Sequence, residues 1–109
     1  DIAQPDMMYS GGITEAKKIA AIADTFHVPI SFHNTKGPIG ILAAAHVEAS
    51  IPNSAPMEFV TGIDWRDEII DEPLKIEGGR MVLPSRPGLG VELNMDAVEA
   101  HRWREGDPR

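Results

Sequence analysis

At 109 residues the chain has room for one domain core at most. Acidic side chains outnumber Lys and Arg by 17 to 10, giving a net charge of −7, and no basic run is long enough to neutralise a row of phosphates, so no nucleic-acid partner is expected. The lack of cysteine excludes disulfides, thiolate metal sites and a thiol nucleophile and leans toward the cytoplasm, and the longest nearly uncharged stretch, Gly37 to Ala45, is far short of the ~20 apolar residues of a membrane span, so no membrane association is expected either.

The opening Asp1-Ile2-Ala3-Gln4-Pro5-Asp6 reads as the end of a strand already running, and the chain is expected to be the C-terminal part of something larger. After the loop Met7–Gly12, a helix is predicted from about Thr14 to Phe26. Ala16, Ile19, Ala20, Ala23 and Phe26 recur at steps of three and four, so they share one face. Val28-Pro29-Ile30-Ser31-Phe32-His33 has the β-branched and aromatic content of a buried strand, with His33 at its C-terminal end. Asn34-Thr35-Lys36-Gly37 is a loop, and Pro38 suits the first turn of an alanine-rich helix over roughly Ile39 to Ser50.

Ile51–Pro56 breaks that helix, and Met57-Glu58-Phe59-Val60 is predicted as a third strand. Strands alternating with helices across short connections argue for βα units and a parallel sheet, either doubly wound or closed as a barrel. Beyond Gly62 the chain changes to small β-pieces at Leu74–Ile76, Met81–Leu83 and Val91–Leu93, then to a helix near Asp96 to Trp103 with Asp96 as its cap.

In parallel α/β folds the functional groups gather at the C-terminal ends of strands. That rule selects Asp6, His33 and Glu58. A carboxylate beside an imidazole can accept its N–H, fix the tautomer and raise its basicity, as a general base requires. Parallel neighbours lie about 4.8 Å apart, so residues at adjacent strand ends can touch. Asp6 could equally be a turn former, and His33 could be bonded only to backbone. Glu58 is harder to dismiss, because an unpaired buried carboxylate costs several kcal/mol and so needs a partner or a task. His27, His46 and His101 read as structural or surface residues, and Gly11-Gly12 as a loop device without a wider phosphate-binding fingerprint.

Four stretches carry a family resemblance: Asp1–Asp6 with Gly11-Gly12-Ile13-Thr14-Glu15, His33-Asn34-Thr35-Lys36-Gly37-Pro38, Pro56-Met57-Glu58, and Pro84-Ser85-Arg86-Pro87-Gly88-Leu89-Gly90-Val91. In this order and spacing the chain resembles the C-terminal part of enolase-superfamily proteins of the mandelate racemase and muconate lactonizing type, most of all the sugar-acid dehydratases such as galactonate dehydratase. The resemblance implies an α/β fold, the sixth to eighth strands and helices of a (β/α)7β TIM-like barrel. Residues 1–62 would be the C-terminal βα units, and residues 63–109 a segment packing on the barrel and on a capping domain.

The resemblance also implies roles. His33 would be the base or acid, Asp6 its dyad partner, and Glu58 a hydrogen-bonding partner of the substrate carboxylate as charge builds up. The chemistry would be removal of the proton α to the carboxylate of a sugar acid or other α-hydroxy carboxylate, assisted by Mg²⁺ whose ligands lie on earlier strands, in a homo-oligomer. Racemase or cycloisomerase chemistry uses the same parts, and a non-catalytic αβ fragment is the alternative from a different class. A few barrel strands alone leave open sheet edges, so the isolated 109 residues are expected to be inactive and poorly stable.

Overall fold

A computed structural model describes residues 1–35, 37–63 and 65–106; Lys36 of the predicted loop and residues 107–109 of the polar tail lie outside the described residues. Helix α1 spans Gly12–Thr25, starting two residues before the predicted Thr14. Gly11 permits the early start. It sits at φ +99, and a Cβ there would come 2.7 Å from the Cγ of Glu15, so a side chain would clash with the first turn it caps. Ala16 and Ala20 are fully buried and Ile19 and Ala23 partly so, as their spacing predicts. Phe26 departs from that prediction: it is 73% exposed, because the helix has ended and the chain is already turning toward His27 at φ 56.

Helix α2 spans Pro38–Glu48, with Pro38 at its start, where a missing N–H is harmless. It is buried on nearly every side, at Ile41, Leu42, Ala43, Ala44, Ala45 and Val47, which is why it tolerates so little charge. Its Ala43, Ala44 and Val47, with Met7, Ala16, Ala20, Ile30 and Phe32, form the core between α1, α2 and the extended segments.

The three predicted strands are extended segments lying parallel in the order 1–6, 28–33, 53–58, joined by isolated bridges Ala3–Ile30, Asp6–His33 and Ile30–Ser54 rather than by continuous ladders. The predicted strand at Met57–Val60 is corrected accordingly: its pairing begins upstream at Ser54, and Glu58 adds one backbone bond, from its N–H to Phe32 O at 3.3 Å. Proline interrupts the first ladder: Pro5 and Pro29 fall where an N–H would have to be given between the first two segments and have none to give.

A 3₁₀ helix over Arg66–Ile69, unanticipated from sequence, follows, and then a hairpin of β1 (Lys75–Glu77) and β2 (Arg80–Val82), which pair antiparallel with Ile76 opposite Met81. The piece at Val91–Leu93 contributes a single antiparallel bridge, Leu93 to Ile70. Helix α3 spans Met95–Ala100 and is shorter than the predicted Asp96–Trp103. Its cap is Asn94, whose Oδ1 accepts from Ala97 N at 3.3 Å; Asp96, the expected cap, lies in the first turn instead. No helix among the described residues is long and apolar enough to cross a membrane.

Candidate active site

The parallel arrangement puts the ends of all three extended segments side by side. His33 N–H donates to Pro5 O at 3.0 Å, and the bridge between Asp6 and His33 sets their side chains on the same face. There the imidazole Nδ1 lies 2.7 Å from Asp6 Oδ2. From the third segment Glu58 Oε2 approaches the other ring nitrogen, Nε2, to 3.8 Å. The three residues selected from sequence are therefore brought together at the C-terminal ends of the three segments.

Asp6 is the fixed member. Its side chain is 10% exposed, against 40% for His33 and 36% for Glu58. Its Oδ1 accepts the N–H groups of Met8 at 2.7 Å and Tyr9 at 3.2 Å, while its carbonyl takes Ser10 Oγ–H at 2.7 Å, so the loop into α1 is wound around it. Burial pushes the Asp6 carboxyl up, but the hydrogen bonds from His33 and from the Met8 and Tyr9 N–H groups outweigh it and hold the carboxyl below its ordinary value. An ionised acceptor at Nδ1 draws the imidazole proton to that nitrogen and leaves the Nε2 lone pair toward the open side.

Glu58 is held by Asn34, which the sequence pattern places in a loop. Asn34 N–H donates to Glu58 Oε2 at 3.0 Å, and the Asn34 side chain, 2% exposed, donates through Nδ2 to Met57 Sδ at 3.2 Å. The signal was its position directly after His33, at the end of the same segment. His27, His46 and His101 stand elsewhere: His46 Nε2 meets Leu89 O at 3.3 Å, and His101 stacks on Trp65 with ring centroids 4.6 Å apart.

The cluster does not fit a magnesium site. Mg²⁺ demands near-octahedral oxygen donors, whereas both Asp6 oxygens and Glu58 Oε2 are already engaged by N–H donors, and among the described residues no group of acidic and imidazole side chains is arranged to hold a metal. What the cluster can do is exchange a proton at Nε2 beside the Glu58 carboxyl.

Comparison with known proteins bears on the rest. Residues 1–97 match the family model described as enolase C-terminal domain-like. The D-xylonate dehydratase of Haloferax volcanii is 43% identical over 102 residues, which are 93% of this chain and 25% of that protein. A crystal structure of a mandelate racemase/muconate lactonizing enzyme from Jannaschia sp. CCS1 superposes with a TM-score of 0.88 at 32% identity, over 97% of this chain and 27% of the other. A protein from Burkholderia xenovorans bound to magnesium and fumarate superposes with a TM-score of 0.76 at 31% identity, over 83% of this chain and 23% of its own. The chain thus spans about a quarter of the length of the relatives it matches.

Proposed function

The chain belongs to the enolase C-terminal domain-like family, and from that premise we propose that it supplies the His33–Asp6–Glu58 side of the active site of a sugar-acid dehydratase. The observation that carries the reading is the 2.7 Å Asp6–His33 bond, which leaves Nε2 as a basic atom facing the open side of the site. In this reading His33 Nε2 takes the proton α to the substrate carboxylate, and Asp6 stabilises the imidazolium that forms. Glu58 hydrogen-bonds the substrate carboxylate through Oε1, the oxygen not engaged by Asn34, as negative charge builds up there. The electron pair of the broken C–H bond expels the β-hydroxyl, which leaves as water with the proton returned from His33, and the resulting enol becomes a 2-keto-3-deoxy acid.

Magnesium belongs to the proposal through the family and through the magnesium-bound relative. Its ligands would come from outside this chain, so no step here is routed through it. The barrel position of the three segments, as sixth to eighth strands, the packing of residues 63–109 on a capping domain, a homo-oligomeric state and a cytoplasmic location are parts of the same proposal.

Racemisation is the second reading, favoured by the likeness to the mandelate racemase/muconate lactonizing structure, since a His–Asp pair could serve it equally. Incubating the full-length protein with Mg²⁺ and a panel of aldonic acids separates the two. Dehydration gives a 2-keto-3-deoxy product that reacts with semicarbazide; formation of the α-epimer without that product would replace dehydratase by racemase, and turnover of no acid would remove both.

A further inference from the structure

The third extended segment contains one residue too many, and that extra residue decides which side chain meets His33. Between the first and second segments the bonding is regular: Ala3 N–H to Pro29 O, Ser31 N–H to Ala3 O and His33 N–H to Pro5 O, each 3.0 Å. Between the second and third it begins regularly, with Ile30 N–H to Asn53 O at 2.8 Å and Ala55 N–H to Ile30 O at 2.7 Å, as the Ile30–Ser54 bridge requires. A regular continuation would set Phe32 opposite Pro56 and bring Met57 N–H to Phe32 O. The N–H that reaches Phe32 O is instead that of Glu58.

Phe32 is therefore opposite Met57, and Ala55 and Pro56 together stand against Ser31, the two-against-one count of a β-bulge. The shift exchanges faces. Without the bulge Met57 would lie beside His33, and Glu58 would point into the apolar layer with Phe32. With it, Met57 joins the core and Glu58 reaches the imidazole.

Two side chains satisfy the backbone groups that the bulge strands. Phe32 N–H, deprived of a carbonyl on the third segment, donates to Glu48 Oε1 at 3.2 Å from the last turn of α2. Pro56 O, turned off the ladder, accepts from Ser31 Oγ at 2.8 Å. A buried N–H without a partner costs about 1–3 kcal/mol, which would favour sliding the segment back into regular pairing. We propose that Glu48 and Ser31 are positioning residues that hold this bulge and thereby aim Glu58 at His33. Neither touches the imidazole cluster through its side chain; each acts through the register. Burial raises the Glu48 carboxyl, only partly offset by the Phe32 N–H, so an anion is not what the position favours and a neutral acceptor would serve there.

The effect on catalysis rests on the dehydratase reading, whereas the register does not, and the test separates them. In the full-length protein labelled at methionine methyl groups, the nuclear Overhauser effect between the Met57 methyl and the Asn34 side-chain amide reports the face Met57 occupies. Wild type and Glu48→Gln keep this signal, and Glu48→Ala loses more than about half of it. In turnover Glu48→Ala falls about tenfold, Glu48→Gln stays within about threefold, and in a Glu58→Gln background Glu48→Ala has less than about a twofold further effect, the non-additivity expected when one residue acts through another. An unchanged Met57 signal in Glu48→Ala, equal damage from Gln and Ala, or independent multiplication of the two losses would overturn the proposal. If Glu48→Ala does not fold, Ser31→Ala takes its place, with weakening of the same signal expected and an unchanged signal contradicting the bulge account. Should every variant lack turnover, the methyl signal still decides the register while the dehydratase reading falls.

Discussion

Asp6 and His33 are paired twice, by a parallel backbone bridge and by a 2.7 Å bond from Nδ1 to Oδ2. The double link fixes both the position and the tilt of the imidazole, because neither segment can slide without breaking the side-chain bond. It also divides the labour of the ring: Nδ1 is committed to Asp6, and Nε2 is the atom that faces Glu58.

Replacing Asp6 by Asn keeps the size and removes the charge. The amide can present an N–H to Nδ1, which would drive the imidazole proton onto Nε2 and cap the basic atom. Turnover of the full-length protein is expected to fall by about 10²–10⁴-fold, the usual worth of a general base. A loss below about tenfold in steady-state turnover would remove Asp6 from the mechanism.

The pH dependence of stability follows from the same carboxyl. Because the Asp6 carboxyl is held below its ordinary value of 3.8 in the folded chain, folding favours its ionised form. Its contribution is present above that value and is lost as pH falls through the lower folded value. Urea midpoints of wild type and Asp6→Asn should therefore differ by a constant amount above about pH 5 and converge in more acidic solution. A gap that widens on acidification would contradict the assignment.

Glu48 has the opposite sign. Its carboxyl is raised above its ordinary value of 4.5, so the folded state favours the neutral form, and the favourable contribution is lost as pH rises through the folded value. Glu48→Gln, neutral at every pH and still an acceptor for Phe32 N–H, should melt at or above the wild-type temperature at pH 7. That advantage should vanish below about pH 4.5, where wild-type Glu48 is itself neutral. Thermal melts at the two pH values read this directly, and a Gln variant less stable at pH 7 than at acid pH, relative to wild type, would reverse the sign.

Gly90 closes the Pro84–Val91 stretch with φ +82, and a Cβ there would run into the Cβ of Pro84. The turn also carries Arg86, whose Nε donates to Gly90 O at 2.9 Å and whose Nη2 reaches both oxygens of Asp71. Gly90→Ala is expected to cost about 1–3 kcal/mol in chemical denaturation, the range for a side chain forced into left-handed backbone. A change under about 0.5 kcal/mol would mean the turn relaxes freely.

Much of the site was legible because it depends on order and periodicity. The spacing of Ala16, Ile19, Ala20 and Ala23 located α1, and the rule for strand ends selected Asp6, His33 and Glu58, which the fold brings together. What the pattern missed depends on backbone detail. Met57–Val60 reads as a plain strand because an apolar run does not reveal a one-residue bulge at Ala55-Pro56, nor that Glu48, sixteen residues beyond Phe32, would supply its acceptor. Asn94 outcompeted Asp96 as the cap of α3 because cap geometry is set by the extended residue before the helix, which composition does not show.

In the proposed reaction His33 Nε2 removes the proton α to a carboxylate. The most direct measurement is exchange of that proton with solvent deuterium in the full-length protein, followed by mass spectrometry of a sugar acid, for wild type and His33→Asn. Exchange is expected in wild type and none in His33→Asn, with magnesium affinity nearly unchanged because His33 is not a ligand. Undiminished exchange in the Asn variant would contradict that role.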